Sequence, residues 1–292
     1  MTAVGKVNYL FDISHMKSRI AAFALALAAA LITAPSLSRA GSSGIVLPLR
    51  CRVQPFKASE TWDPVTVKDT FPVSASAIII CDMWDRHWCG GANTRVADLV
   101  RRMDPVLRRA RAAGILIIHA PSDTMDFYKD YPQRKLVLAA PKVKPPAELK
   151  ISDTPLPIDD SDGGCDTPGF KEHQAWVREN AGLSIGPADA ISDNGDEIYN
   201  LLAEKGIHNL FVMGVHANMC ILNRSFAIRQ MTRWGIRCVL VRDLTDAMYN
   251  PKSRPFVTHA AGTDLVIQYI EKYWCPSTLS SDLVAALGQT AN

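Results

Sequence analysis

Apolar residues follow two alternating rhythms along this chain. Residues 75–81 read Ala-Ser-Ala-Ile-Ile-Ile-Cys, and residues 115–118 are again wholly apolar. Such short unbroken runs are typical of strands buried on both faces of a parallel sheet. Between them, over 94–113, the apolar positions Val96, Leu99, Val100, Met103, Val106, Leu107 and Ala110 recur at helical spacing, arginines fill the other face, and Gly114 closes the segment. Strand, helix, strand is a βαβ unit. The alternation returns late in the chain with a helix at 193–205, a strand at 210–215, a helix at 220–234 ended by Gly235, a strand at 238–241 and an amphipathic helix at 262–273. The pattern predicts a mainly parallel sheet covered by helices on both faces.

Little of the rhythm appears between 127 and 190, where Pro141, Pro145, Pro146, Pro155, Pro157 and Pro168 argue against continuous regular structure. So long an irregular stretch inside a domain usually serves function, and a lid over a site or an oligomer contact is expected. At the start of the chain, Met16-Lys17-Ser18-Arg19 is basic and residues 20–32 are almost wholly apolar. Thr33-Ala34-Pro35 and Ser38-Arg39-Ala40 follow, before Gly41. That is the order of a secretory signal, and the apolar run is shorter than the roughly 20 residues a membrane span needs. Residues 1–40 are therefore expected to be a signal peptide and 41–292 the functional domain. The protein is expected to be periplasmic or secreted, without stable membrane association after cleavage; an uncleaved anchor is the alternative.

Setting the leader aside changes the charge. It carries Lys6, Lys17, Arg19 and Arg39 against Asp12, a net +3 that equals the net charge of the whole chain. The remainder is close to neutral, and after residue 40 no basic run is interleaved with aromatics, so nucleic acid is not an expected partner. A small-molecule substrate is. Seven cysteines in an exported chain raise the prospect of disulfides, and the odd number leaves one thiol unpaired if no partner chain is involved. Cys165 lies in a polar loop, with Cys89 or Cys51 as its candidate partner.

Ligands of open parallel sheets bind outside the carboxyl ends of the strands. Two reactive side chains fall there. Asp82 follows the run Ile78-Ile79-Ile80-Cys81, and Cys220 follows the turn Gly214-Val215-His216-Ala217-Asn218-Met219 and opens a helix. A helix N-terminus favours a thiolate, and the N–H groups of the turn point the same way, as in an oxyanion hole. Trp84, His87 and Trp88 follow Asp82 closely enough to wall a planar substrate or to pack under the long loop. Taken as isolated residues, Cys220 is equally a small buried hydrophobe and Asp82 a helix cap or turn residue.

The segment Ile78-Ile79-Ile80-Cys81-Asp82-Met83-Trp84-Asp85 resembles the first strand of the isochorismatase-like cysteine hydrolases, which ends in a catalytic Asp. Lys205-Gly206-Ile207-His208-Asn209-Leu210-Phe211-Val212-Met213-Gly214-Val215-His216-Ala217-Asn218-Met219-Cys220 is similar to their second signature, which ends in the nucleophilic Cys; the strand at 235–243 is similar to the next. The resemblance covers roughly residues 75–127 and 190–273. It implies a three-layer α/β/α sandwich with a mostly parallel six-stranded sheet. The implied activity is hydrolysis of an amide-like C–N bond through a cysteine thioester, as in nicotinamidases and N-carbamoyl amidohydrolases. It also implies a non-proline cis peptide at Val215–His216 and a homo-oligomer as the common state. Substrate or oxyanion contacts are expected from His216 and Val215 of the turn and from Trp84, His87 and His119.

The chain departs from the family at two places. Where the triad lysine is expected, Trp176-Val177-Arg178-Glu179-Asn180 offers Arg178, with Lys129, Lys135, Lys142 and Lys144 of the long loop as alternatives. An arginine does not exchange protons near neutral pH, so Asp82 would carry every transfer. The loop His119-Ala120-Pro121-Ser122-Asp123-Thr124-Met125-Asp126 lacks the Asp-x-His spacing of metal-binding relatives, so neither metal nor cofactor is expected. A divalent ion held by Asp85, His87, His119 and His216 is the alternative. The run Asp159-Asp160-Ser161-Asp162-Gly163-Gly164 lacks the later Glu of a calcium loop and reads as a solvated acidic turn. Two further functions remain open at this point: a catalytically silent binding domain, and isochorismatase-type hydrolysis by the Asp without the thiol.

Overall fold

The computed structural model describes residues 44–289, so the expected signal peptide lies outside the described residues. Gly44–Val53 (β1) and Asp63–Pro72 (β2) form an antiparallel hairpin. The strands that follow are Ser76–Cys81 (β3), Leu116–Ala120 (β4), Ala190–Ile191 (β5), Asn209–Val215 (β6), Arg237–Asp246 (β7) and Ser277–Thr278 (β8). They form one eight-stranded sheet in the order β2-β1-β8-β7-β6-β3-β4-β5. Every pairing from β8 to β5 is parallel, and β1 joins the edge through an antiparallel bridge from Arg50 to Ser277. The expected parallel sheet is thus present, and the hairpin adds two strands to it.

The helices are Gly90–Ala112 (α1), Met125–Tyr128 (α2), Pro132–Ala139 (α3), Gly195–Glu204 (α4), Cys220–Asn223 (α5), Ile228–Arg233 (α6), His259–Tyr273 (α7) and Ser280–Gln289 (α8). Because successive strand residues point to opposite faces, β3 feeds two cores. Ile78 and Ile80 pack with α1 and α8, while Ala77, Ile79 and Cys81 pack with α3, α4, α5, α6 and α7. All seven apolar positions that predict α1 are buried. Among the described residues no helix is long and apolar enough to cross a membrane.

Two local departures shape the site. The helix expected over 220–234 is broken: Arg224 is extended (φ −62°, ψ 151°), which separates α5 from α6. The α4 N-terminus packs against the break, Gly195 N–H donating to Ser225 Oγ at 2.9 Å, with no room for a Cβ on Gly195 beside the Ser225 carbonyl. Helix α1 starts earlier than its apolar stripe, and its N-cap, Cys89, is disulfide-bonded to Cys165, the Cα atoms lying 5.7 Å apart. This bond selects Cys89 over Cys51 and ties the Pro-rich insertion to the start of α1.

Candidate active site

Strands β3 and β6 are neighbours, so their carboxyl ends bring Asp82 and the Gly214–Cys220 turn side by side. Asp82 adopts a left-handed backbone (φ 49°) and is wholly buried. Its Oδ1 accepts the Ser122 N–H at 2.7 Å, and its Oδ2 accepts Arg224 Nε at 3.2 Å. Burial pushes its carboxyl above the usual range, against the opposing pull of Arg224 and of hydrogen bonds from Cys220 and Ser122.

On the other strand, Gly214 (φ 114°) sits so close to β3 that a Cβ would overlap the Cys81 carbonyl. Only glycine satisfies both conditions. The expected cis peptide joins Val215 and His216. The His216 carbonyl then collects the N–H groups of Met219 (3.0 Å) and Ile221 (3.1 Å), and Ala217 N–H donates to the Asp246 carbonyl at 2.8 Å. The N–H groups of His216 and Cys220 donate to no carbonyl of the turn.

The Cys220 thiol lies close enough to the Asp82 carboxylate and the Arg224 guanidinium to feel both charges. The sequence favours a thiolate here because a helix opens at Cys220. The structure reverses that expectation: α5 is a single turn with little dipole, whereas burial and the neighbouring Asp82 charge push the thiol far up. Cys220 rests protonated.

Three residues named from the sequence stand elsewhere. Arg178 is exposed, its guanidinium 5.7 Å over the Phe127 ring. The segment around it runs antiparallel to the residues after Asp82, with Asn180 N–H on the Met83 carbonyl (2.7 Å) and Asp85 N–H on the Arg178 carbonyl (2.9 Å). Extended chain alternates its side chains, so Glu179 turns inward and Arg178 outward. Arg224 is the cation at the site, held between Asp82 and Asp123 (3.1 Å). Lys129, Lys135, Lys142 and Lys144 are all exposed. The spacing Cys220 to Arg224, one helical turn, was the available signal.

His119 is the second correction. It lies wholly buried between Glu179 (2.7 Å) and Asp189 (3.0 Å), with Arg111 Nη2 2.7 Å from Asp189 and 3.5 Å from the His119 ring, and does not line the site. Val215 is the third, its side chain belonging to the α1–α8 core. The residues named as alternative metal ligands are likewise divided. His119 is turned to its carboxylates, Asp85 accepts the Val177 N–H (3.1 Å), and His87 meets His216 edge to face at 5.0 Å.

Burial alone would lower the His119 pKa, but Glu179 and Asp189 outweigh it and raise it to about 9. A pKa raised on folding stabilises the protein fully below the unfolded value near 6.5 and loses that contribution as pH climbs through about 9. His119→Gln is therefore expected to cost about 2–3 kcal/mol at pH 6 and much less at pH 10. Denaturant midpoints across that range check it; a penalty that does not shrink with pH would contradict the charged imidazolium.

The remaining aromatics wall a cavity of about 350 Å³ over Cys220. Trp84 and Trp176 stack at 3.9 Å, Trp84 Nε1 is fixed on the Ser122 carbonyl (3.0 Å), and His87 packs beside Trp88 at 5.2 Å. Burial lowers His87 to about 4 and His216 to about 3, so both imidazoles are neutral near pH 7. The insertion completes the wall. Asp160 accepts Asn218 Nδ2 of the cysteine turn at 2.7 Å, and Asp166, next to the disulfide, pairs with Arg95 at 2.6 Å.

No protein-family model and no curated protein matches this sequence. Solved structures do resemble it. A cysteine hydrolase from Pseudomonas syringae pv. phaseolicola 1448A superposes with a TM-score of 0.50 at 18% identity, covering 75% of this chain and 95% of that one. An isochorismatase from Pseudomonas putida KT2440 gives a TM-score of 0.41 at 16% identity, covering 72% and 90%. An isochorismatase family protein from Burkholderia thailandensis gives 0.42 at 16%, covering 74% and 96%.

Proposed function

We propose that this chain, which has the fold of the isochorismatase-like cysteine hydrolases, cleaves an amide-like C–N bond of a small molecule with Cys220 as nucleophile. The observation that carries the reading is the meeting of Cys220, Asp82 and Arg224 beside one aromatic-walled cavity. Asp82 takes the thiol proton as Sγ attacks the substrate carbonyl, because a thiol held this far up ionises only as the new bond forms. The N–H groups of His216 and Cys220 receive the oxyanion. Asp82 then returns the proton to the departing nitrogen as the C–N bond breaks. Water, deprotonated by Asp82, attacks the thioester, and the expelled thiolate recovers that proton.

Arg224 keeps its charge throughout and offsets that of Asp82 or of the thiolate. One carboxylate thus carries every proton. With Asp82 held above the usual carboxylate range, kcat/KM should fall on the acid side at a pH above about 4, the ordinary carboxylate value. Among the described residues no lysine lines the cavity to add an alkaline limb. Ammonia release from primary amides and N-carbamoyl compounds, followed across pH with the full chain, tests both statements; no turnover of any member would count against the reading.

The protonated resting thiol favours one rival, a binding domain that keeps the fold without the chemistry. The two part on substrate-dependent acylation. A thioester on Cys220, trapped by acid quench and seen by mass spectrometry, belongs to the hydrolase alone.

A further inference from the structure

The charged groups lining the cavity over Cys220 do not cancel. Two carboxylates, Asp160 and Glu172, line it against the single guanidinium of Arg224, which also pairs with the buried Asp82 behind it. That guanidinium is shared with Asp123 outside the cavity. Asp160 is bonded there to a neutral amide, Asn218, and among the described residues the Glu172 carboxylate has no hydrogen bond or ion pair. The two imidazoles add no charge near neutral pH. The balance stays negative whether Asp82 is ionised or protonated. The remaining surface is aromatic and soft, from Trp88, Trp176, Met219 and Met248. Tryptophan faces attract cations through their quadrupole, and a space of about 350 Å³ is at the small end for ligand sites, about one ring in size.

We propose that this cavity selects a planar ligand carrying a positive charge, with the ring against the tryptophans and the cation toward Glu172. As a statement about the substrate, this rests on the hydrolase reading: the compound is an amide whose acyl part bears an amine or a comparable cation. A carboxylate of the same shape would bring its charge against Asp160 and Glu172 in a partly desolvated space and be rejected.

Three benzamides of matched shape test this, bearing at the para position an aminomethyl, a hydroxymethyl or a carboxylate group. Calorimetry on full-length Cys220→Ser, which keeps the shape and cannot form the thioester, gives their Kd values at low salt. The aminomethyl compound is expected to bind about tenfold more tightly than the alcohol, the scale of one close charge pair, and the carboxylate more weakly than either. Adding Glu172→Gln, an exposed and structurally mild change, should bring the amine to within about threefold of the alcohol. Three results overturn the proposal: no binding by any of the three, a carboxylate that binds as well as the amine, or a preference that Glu172→Gln leaves intact.

Wild-type turnover of the same compounds separates the two proposals. Charge-selective binding without ammonia release defeats the hydrolase and leaves the cation site standing. Ammonia release with no charge preference does the reverse.

Discussion

Replacing Cys220 by alanine is expected to lower amide hydrolysis by about four orders of magnitude or more, because no other group at the site can form the acyl intermediate. The change should barely disturb the fold. Cys220 is only partly buried and its side chain makes none of the turn's fixed contacts; those run through backbone groups of His216, Ala217, Met219 and Ile221 and through Asn218. A thermal midpoint within a few degrees of wild type is expected (a shift of about 2–4 °C corresponds to about 1 kcal/mol in a domain of this size). Hydrolysis that survives the substitution would assign the chemistry to Asp82 without the thiol, as in isochorismatase-type cleavage.

The second large effect is that of Asp82→Asn. The amide oxygen can still accept the Ser122 N–H, so the end of β3 keeps its anchor. What disappears is the proton acceptor, and about a thousandfold loss in kcat/KM is expected. Stability should move the other way. Burial raises the Asp82 pKa on folding. A group with a raised pKa contributes stability below its unfolded value near 3.9 and loses it as pH rises through the folded value. At neutral pH the ionised carboxylate is therefore a net cost, and the asparagine variant should melt at or above the wild-type temperature. Kinetics and melts on the same preparation check both signs. A variant retaining activity within about tenfold would remove Asp82 from the proton path.

The parallel strands and α1 were legible because burial on both faces, or on one helical stripe, leaves a pattern in the residues themselves. Ile78–Ile80 and the α1 stripe are buried as their spacing implies. The hairpin was harder to see. β2 hangs at the sheet edge with six of its ten residues exposed and only Phe71 buried, so its pattern carries little signal. β5 and β8 are two residues each, ordered by the strands they pair with.

Asp82 and Cys220 could be located from the chain alone because Asp82 follows directly on a buried strand and Cys220 on the short turn after another, and strand ends are set by local hydrophobicity. The glycine turn, with no space for a Cβ at Gly214, was equally local. The cation was not. Arg178 and Arg224 differ in which way their backbone turns them. An antiparallel bridge to Met83–Asp85 faces Arg178 outward, and the helix ends after Asn223, where the α4 N-terminus packs against it and Arg224 reaches back to Asp82. His119 likewise sits at a strand end, yet pairing with Glu179 and Asp189, 60 and 70 residues away, claims its imidazole for the interior. The hydrophobic rhythm thus determined the layers and the strand ends near which Asp82 and Cys220 stand. Only the folded chain decided the direction of each charged side chain, because a long flexible side chain goes where an oppositely charged partner offsets its desolvation, and those partners are remote in sequence.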